Sequence, residues 1–279
     1  MGELSEKQII DTVHAALDRG VTFIDTAEGY RTSEAVLGKA LEGRRDQVFL
    51  ATKLTGDHSQ EHMNQAIENS LRALRTDYVD LYQLHSPQPA YPIEQTMERL
   101  LRLKEQGRIR YIGVSNFSAE QHTEALQYGH IDSSQPQYSM LVRTAEEAVL
   151  PFCLEHGTGV IVHSPLAKGL LTGKYRPGHR FAPDDERSWM AAFQGERFAS
   201  ALKVAEGLRE WAEARGHSLV HLAIAWTLAN PAVTSCIVGA KTSQQVLHNA
   251  EAADWVLTGE DLQKVDEIQG DFRILSLHH

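Results

Sequence analysis

The chain has 279 residues, of which 42% are hydrophobic, and it carries a formal net charge of -10. This acidic balance argues against a nucleic-acid-binding protein, because such proteins need a concentrated basic surface. The longest apolar runs are too short to cross a bilayer, and the first residues lack the basic start and apolar stretch of a secretory signal, so we expect a cytoplasmic protein without a membrane partner.

Short apolar runs alternate with amphipathic segments along the chain. We predict helices near residues 5–19, 32–41, 59–74, 93–106, 118–128, 144–156 and 243–253, with two more between 197 and 229. We predict strands near residues 21–24, 48–51, 79–84, 111–112, 134–135, 160–162 and 235–238. Strands that alternate with helices of this length indicate βαβ units and a parallel sheet.

The organisation of these elements leaves two folds open. No change in composition marks a domain boundary, so we expect residues 1–279 to form a single domain. Seven predicted strands fit either an open α/β sheet or an eightfold barrel whose first strand is missing from this chain. The long irregular stretch at 176–195 is typical of a lid or a binding loop.

Four polar residues stand where the first three predicted strands end. Asp25, Lys53 and His85 each fall at such an end, and Tyr30 follows Asp25 on the next loop. Because reactive groups in α/β barrels stand at the carboxyl ends of the strands, we expect these side chains to converge. Together they could protonate a carbonyl oxygen at neutral pH.

Tyr30 is the candidate proton donor of this group. A free tyrosine has a pKa of about 10 and donates slowly near pH 7. We expect the Lys53 ammonium to lower that pKa, with Asp25 holding Lys53 and His85 orienting the substrate oxygen or relaying the proton. An Asp–Lys pair alone is often structural, but the joint placement of all four residues favours catalysis.

A second candidate site follows the last predicted strand. Gly239 lets the backbone approach a ligand closely, and a helix begins near Thr242. A helix N-terminus with small capping residues is a natural phosphate site, and Lys241 adds positive charge beside it. Two familiar phosphate motifs are absent, since no G-x-G-x-x-G occurs and the segment ending at Lys174 is one residue too short for a P-loop.

Several short motifs resemble those of the aldo-keto reductase family and occur in the same order. They are Asp-Thr-Ala-Glu-Gly-Tyr at 25–30, Ala-Thr-Lys at 51–53, Leu-His-Ser-Pro at 84–87, Gly-Val-Ser-Asn-Phe at 113–117, Ser-Pro-Leu at 164–166 and Gly-Ala-Lys at 239–241. The resemblance extends over most of the chain. It implies a (β/α)8 TIM-type barrel that reduces aldehydes or ketones with NADPH.

The resemblance also implies a role for each residue that matches a family motif. The catalytic tetrad would be Tyr30, Asp25, Lys53 and His85. The implied cofactor-binding residues are Ser115, Asn116, Gln135 and His163 at the nicotinamide, Ser164, Leu166 and Lys168 at the pyrophosphate, and Gly239, Lys241, Gln245 and Asn249 at the 2′-phosphate and adenine.

The chain departs from the family pattern in two places. His163 stands where most relatives carry a larger aromatic ring against the nicotinamide, which predicts weaker cofactor binding or slower turnover. The residues before Ser5 cannot supply the family's N-terminal segment and first strand. A partner chain could fill the gap, or the barrel could tolerate an open seam, but we favour truncation of the natural reading frame as the explanation. Without that strand both edges of the sheet would be unpaired.

Two other functions fit the same fold. One is a regulatory subunit that binds NADP with little turnover. The other is a Schiff-base aldolase with Lys53 or Lys168 as the nucleophile, which ranks last because Asp25 would keep Lys53 charged. In the leading interpretation the partner is a small-molecule carbonyl substrate, and the sequence specifies neither this compound nor the oligomeric state.

No metal site is predicted. His58 with His62, and His217 with His221, have the i, i+4 spacing of one helical face. Neither pair belongs to the H-E-x-x-H motif of zinc proteases, so we expect exposed histidines on helix surfaces.

Overall fold

The computed structural model describes residues 4–277, in which strands and helices alternate. The strands in this range are β1 (Phe23–Asp25), β2 (Phe49–Leu54), β3 (Val79–Leu84), β4 (Ile109–Ser115), β5 (Ser133–Gln135), β6 (Gly159–Val162) and β7 (Ser235–Cys236). The α-helices are α1 (Glu6–Asp18), α2 (Ser33–Ala40), α3 (Gln60–Leu74), α4 (Ile93–Glu105), α5 (Ala119–Leu126), α6 (Val149–His156), α7 (Gly195–Glu213), α8 (Leu219–Leu228), α9 (Ser243–Glu251) and α10 (Gly259–Gln269). Short 3-10 helices occupy Arg45–Gln47, Thr144–Glu146, Ala167–Thr172, Glu186–Ser188, Ala191–Phe193 and Ala252–Asp254.

The strands form one parallel sheet whose spatial order, β1 to β7, follows the order along the chain. Each connection therefore advances in the same direction. The right-handedness of β–α–β crossovers then puts the helices on one face of the sheet. A doubly wound sheet would contain a reversal of strand order, and none occurs between β1 and β7.

The sheet curls around an apolar interior. Ile161 of β6 packs with Ala51 of β2 and Leu81 of β3, although β6 stands three or four strands away from them in the sheet. Phe23 and Phe49 pack against the same cluster. The inner side chains therefore face one another across the curl, which confirms the predicted TIM-type barrel class over an open, flat sheet. Within the described range, β1 and β7 are the two ends of this curled sheet.

The helices bury their apolar sides against the outer face of the sheet. On α4 the buried residues Thr96, Met97, Leu100 and Leu103 recur at the spacing of one helical face. Helix α8 is apolar on all sides and is buried along most of its length. Within residues 4–277, no helix combines the length and apolar character needed to cross a membrane.

Helix α10 is the one long element that the sequence analysis does not predict. Thr258 and Asp261 form a capping box at its start. Leu262, Val265 and Ile268 recur along it at helical spacing and join the apolar cluster that also contains α7. The cap and this spacing are the sequence signals that identify the helix.

The spaced histidines are less exposed than predicted. His58 and His221 are only 2% and 7% exposed, so the prediction is wrong for one member of each pair. The ring of His58 lies 6.0 Å from that of Tyr91, and the ring of His221 lies 4.1 Å from that of His248. His58 precedes α3 rather than lying on it, and His221 lies on the buried helix α8, so in both cases tertiary packing covers a position that spacing alone would leave on the surface.

Candidate active site

The carboxyl edge of the sheet brings together the four residues predicted to act as a group. Asp25 is the last residue of β1, Lys53 is the next to last of β2, and His85 directly follows β3. Tyr30 lies in the turn after β1, where its backbone N–H donates to the carbonyl of Ala27 at 3.0 Å. Parallel pairing places the ends of β1, β2 and β3 side by side.

Asp25 and Lys53 form a buried ion pair at this edge. Their side chains are 4% and 1% exposed, and the Lys53 ammonium also donates to the carbonyl of Thr26 at 3.1 Å. The other carboxylate oxygen of Asp25 accepts from the amides of Gln83 at 2.8 Å and Gln135 at 3.0 Å. Burial lowers the pKa of Lys53, while the charge of Asp25 opposes that shift. Asp25 therefore stabilises an ammonium that burial alone disfavours.

The Tyr30 phenol meets His85 at the rim of the site. Its oxygen lies 3.3 Å from Nε2 of His85, and the Lys53 ammonium lies 5.3 Å from the Tyr30 ring centroid. Burial, and secondarily the charge of Asp25, raise the pKa of Tyr30 to about 12. The prediction that the pKa of Tyr30 is lowered is therefore wrong, because burial and the Asp25 carboxylate both raise it. Tyr30 is 47% exposed, which leaves the side chain open to a ligand.

The His85 ring is held from its other side by Thr55. Oγ1 of Thr55 lies 3.1 Å from Nδ1 of His85, and the Thr55 backbone N–H donates to Oε1 of Glu28 at 2.5 Å. Both ring nitrogens of His85 are thus engaged, one by Thr55 and the other by Tyr30. The sequence analysis does not identify Thr55 or Glu28, whose positions just beyond two strand ends are their one signal.

A line of hydrogen bonds continues from His85 along the edge. The Asn116 amide nitrogen donates to the His85 carbonyl at 3.0 Å, and its oxygen accepts from Nε2 of His163 at 2.9 Å. Nδ1 of His163 lies 3.0 Å from Oγ of Ser164. Three residues predicted at the cofactor are therefore linked, through the backbone of His85, to the residue whose ring contacts Tyr30.

Ser115 and Gln135, also predicted at the nicotinamide, are buried beneath this line. Ser115 Oγ donates to the Gln135 carbonyl at 2.9 Å and accepts from the Asn116 amide at 3.1 Å. The Gln135 amide nitrogen is turned toward Asp25 and also donates to Oε1 of Gln83 at 2.9 Å. Gln83, a fully buried amide in β3, joins the site although the sequence analysis does not single it out.

Unusual backbone conformations concentrate in the same region. Six non-glycine residues of the described chain have positive φ, and among them are Asn116 at 60°, Ser164 at 59°, Ala167 at 47° and Lys168 at 50°. Such left-handed conformations cost free energy and persist where the surroundings impose them, often at ligand-binding sites. Four of the six thus lie on the two loops that carry predicted cofactor-binding residues.

Three cations gather where the loop after β6 approaches the start of α9. Burial lowers the pKa of Lys174, and the positive charges of Arg187 and Lys241 lower it further. The Lys174 ammonium also lies 3.1 Å from the position that a Cβ would take at Gly169. The sequence does not identify either Lys174 or Arg187 as a binding residue. Lys174 ends a segment that fails to match a P-loop, and Arg187 lies in the irregular stretch at 176–195, which contains no motif.

Lys168 lies in the same loop but is engaged differently. Its ammonium pairs with Glu186 at 2.7 Å, and its carbonyl accepts from Arg187 at 3.3 Å. Leu166 fixes the turn just before it, since the Leu166 carbonyl accepts from the N–H of Gly169 at 2.9 Å. The loop is thus ordered by its own contacts, with the Lys168 charge compensated by a carboxylate.

The residues predicted at the 2′-phosphate and adenine lie together around the start of α9. Thr242 caps the helix by accepting from the N–H of Gln245, and Oε1 of Gln245 accepts from the N–H of Lys241 at 2.8 Å. Asn249 lies one turn further along the helix. A Cβ at Gly239 would meet no atom within 4 Å, so open space faces that part of the backbone.

The chain is similar in sequence to known proteins along most of its length. The family model described as "Aldo/keto reductase family" matches residues 1–269. Aldo-keto reductase YhdN of Bacillus subtilis (strain 168) is 40% identical over 281 aligned residues, covering 96% of this chain and 85% of that protein. NADH-specific methylglyoxal reductase of Escherichia coli (strain K12) is 34% identical over 295 residues, covering 96% and 89%.

Solved structures share the fold. Glycerol dehydrogenase AKR11B4 from Gluconobacter oxydans matches with a TM-score of 0.90 at 33% identity, covering 98% of this chain and 88% of that one. An aldo-keto reductase from Klebsiella pneumoniae in complex with NADPH matches with a TM-score of 0.77 at 31% identity, again covering 98% and 88%.

Proposed function

Because the chain belongs to the aldo/keto reductase family, we propose that it reduces aldehydes or ketones to alcohols, with NADPH as its cofactor and Tyr30 as the proton donor. The observation that carries this proposal is the contact of the half-exposed Tyr30 phenol with His85, beside the buried Asp25–Lys53 pair. A carbonyl oxygen placed against the phenol would meet a donor whose surroundings are already fixed.

Each residue of the group has a separate task in the proposed reaction. NADPH, when bound, supplies the hydride that reaches the carbonyl carbon. Tyr30 gives its proton to the carbonyl oxygen. The phenolate left behind faces the Lys53 ammonium and Nε2 of His85, which carries a proton when Nδ1 accepts from the Thr55 hydroxyl. Asp25 and its two glutamine partners hold Lys53 in that position.

The raised pKa of Tyr30 is compatible with this role. A donor with a pKa of about 12 stays protonated at neutral pH. The oxygen that receives the proton becomes an alkoxide, whose basicity is close to that of hydroxide, with a conjugate-acid pKa of roughly 16. Proton transfer from Tyr30 is therefore downhill once negative charge builds up on that oxygen.

The residues around Lys241 have the chemistry that a nucleotide cofactor needs. Arg187, which also pairs with Asp185, and Lys241 both repel the Lys174 ammonium, and an anionic phosphate placed beside them would relieve that repulsion. The capped start of α9 adds free N–H groups and a favourable dipole for a phosphate. Asn116, His163 and Ser164 lie between this region and Tyr30 in the hydrogen-bonded line, where a nicotinamide would have polar partners.

Replacing Tyr30 with phenylalanine tests the proposal. Tyr30→Phe removes the donated proton but keeps the ring, so we expect turnover of simple aldehydes to fall by about 10²–10⁴-fold. Affinity for NADPH, measured by fluorescence titration, should stay at the wild-type level. In the wild-type protein NADPH should bind more tightly than NADH, because Lys241 and its neighbours favour the additional phosphate.

Three results would contradict the proposal. The first is a wild-type protein that fails to bind NADPH, and the second is a Tyr30→Phe variant with undiminished turnover. NADPH binding without turnover of any aldehyde or ketone would also overturn the reductase assignment. It would point instead to a cofactor-binding regulatory subunit of the same fold.

A further inference from the structure

Two histidines and a glutamate meet where α8 packs against α9, outside the candidate active site. His221 lies on α8, and His248 and Glu251 lie three residues apart on α9. Each offers one ligand atom, and these atoms all lie within 4.8 Å of one another. We propose that His221, His248 and Glu251 bind a divalent transition-metal ion with the ligand preferences of Zn²⁺.

The spacing of the donor atoms is near that of a tetrahedral site. Nε2 of His221 lies 3.5 Å from Oε2 of Glu251, and Nδ1 of His248 lies 3.9 Å from the same oxygen. Zinc bonds of about 2.0–2.1 Å put the ligand atoms of a tetrahedral site roughly 3.4 Å apart. The Glu251 side chain is 58% exposed, so it is free to make the small movement that closes the site. Water would take the fourth position.

The hydrogen bonds of His248 orient its ring for this role. Oγ of Ser218 lies 2.9 Å from Nε2 of His248, which leaves Nδ1 on the side of Glu251. A hydrogen bond to the nitrogen that does not bind the ion is the usual way in which proteins fix a metal-binding histidine. Ser218 is also the capping residue of α8, so its position is itself fixed by the helix.

His221 can present a neutral nitrogen without breaking a second bond. Its Nε2 contacts the His248 carbonyl at 2.9 Å, and its buried Nδ1 has no hydrogen-bond partner among the described residues. Binding of an ion at Nε2 would replace the carbonyl contact and shift the proton to Nδ1.

An ion at this place would fasten α9 to the buried helix α8. Helix α9 contains no fully buried residue, whereas α8 is buried along most of its length. A bond through His248 and Glu251 would therefore add to an element that packing holds weakly. The expected consequence is a protein whose thermal stability depends on the metal concentration.

The experiment titrates the full chain, without nucleotide, with Zn²⁺ by calorimetry and with Co²⁺ by visible absorption. We expect one ion per chain and the absorption bands of tetrahedral Co²⁺. At a hundredfold excess over the Kd, Zn²⁺ should raise the melting temperature by about 5 °C. His248→Gln and Glu251→Gln, at partly exposed positions, should each weaken binding by at least about tenfold, which at the same Zn²⁺ concentration reduces this rise by about half or more.

The control is His156→Gln, which removes an exposed helical histidine away from the cluster and should leave affinity unchanged. Every variant keeps His278 and His279, so binding at the end of the chain would not respond to the substitutions. The proposal is overturned if the wild type shows no saturable binding, or if either cluster variant keeps the wild-type affinity. The three side chains would then only make polar contacts between α8 and α9, without binding a metal ion.

Discussion

The surroundings of Tyr30 raise its pKa from about 10, the ordinary value of a phenol, to about 12. Burial is the main cause, and the charge of Asp25 acts in the same direction. The result is a phenol that stays neutral over the whole physiological range. In the proposed reaction, His85 and Lys53 would act on the phenolate that proton transfer leaves behind, because both can stabilise its negative charge.

This assignment predicts a flat pH profile for carbonyl reduction. Tyr30, with a pKa of about 12, remains protonated between pH 6 and 9, so kcat at saturating NADPH should change less than about twofold in this range. The measurement is steady-state turnover of one aldehyde across that range. A decrease in kcat as the pH rises through about 6.5, the ordinary pKa of an imidazole, would instead identify a histidine as the proton donor.

At the residue scale, the sequence identifies site residues by their position at strand ends, but it does not show where their side chains point. Asp25, Lys53 and His85 are identifiable because each stands at the end of an apolar strand. Gln83 and Thr55 are not, because their roles depend on where their side chains point in the folded barrel. The direction of the Tyr30 pKa shift depends on how deeply the phenol is buried and how close it lies to Asp25, and both follow only from the folded structure.

A glycine in β4 leaves room for side chains of the two neighbouring strands, β3 and β5. Gly113 of β4 lies between Gln83 of β3 and Ser133 of β5. A Cβ at Gly113 would come within 2.5 Å of Ser133 Oγ and 2.8 Å of Gln83 Cγ, closer than atoms in contact can stand. The glycine therefore makes room for the amide that holds Asp25.

Gly113→Ala should couple a loss of stability to a loss of activity. The added methyl group displaces Gln83 and Ser133, which should lower the free energy of unfolding by about 1–3 kcal/mol. Turnover should fall as well, because the bond from Gln83 to Asp25 is disturbed. Urea denaturation and steady-state kinetics on the same preparation measure the two effects.

Gly259→Ala is the matched control for this variant. A Cβ at Gly259, the first residue of α10, would meet no atom within 4 Å, and its φ lies outside the left-handed region. Its stability should stay within about 0.5 kcal/mol of the wild type, with unchanged turnover. The role given to Gly113 is refuted if both alanine variants behave alike.

At the element scale, periodicity predicts the strands well and the helices less completely. All seven predicted strands are present within residues 4–277, although β4 extends well beyond the predicted pair of residues. The predicted helix at 144–156 divides into a 3-10 turn, Thr144–Glu146, and the shorter α6. Helix α10 is not predicted because most of its residues are polar, and only Leu262, Val265 and Ile268 show the apolar spacing of a helix.

On the scale of the whole molecule, burial of histidine links stability to pH. His58 is 2% exposed at the start of the segment that leads into α3, and its carbonyl accepts from Arg99 of α4 at 2.6 Å. Burial is the main cause that lowers the pKa of His58 to about 4. The folded protein therefore binds fewer protons than the unfolded chain between about pH 6.5 and pH 4.

Acid should destabilise the protein in that window. Stability is unaffected by His58 above pH 7, where the ring is neutral in both states, and it decreases as the unfolded chain takes up a proton. The loss should reach up to about 3 kcal/mol near pH 4. Urea denaturation at pH 7 and pH 4.5 should show a smaller decrease for His58→Gln than for the wild type, and equal decreases would exclude this role for His58.

The alternation of strands and helices in the sequence predicts a parallel α/β fold, but it does not predict the order of the strands in the sheet. Repeated βαβ units imply parallel strands, and two folds satisfy them equally. The packing of Ile161 against Ala51 and Leu81 shows that the sheet is curled, and these residues stand 80 or more positions apart along the chain. No local pattern encodes such a contact.

The carboxylate of Asp25 affects how loss of activity in variants of this protein is interpreted. Standing on β1, it accepts from Lys53 on β2, Gln83 on β3 and Gln135 on β5, so one side chain ties four strands together at the reactive edge. A genetic screen for inactive variants would therefore recover Asp25 for two distinct reasons, lost chemistry and a loosened scaffold. Tyr30 lies on a turn outside this junction, and its substitution separates the two.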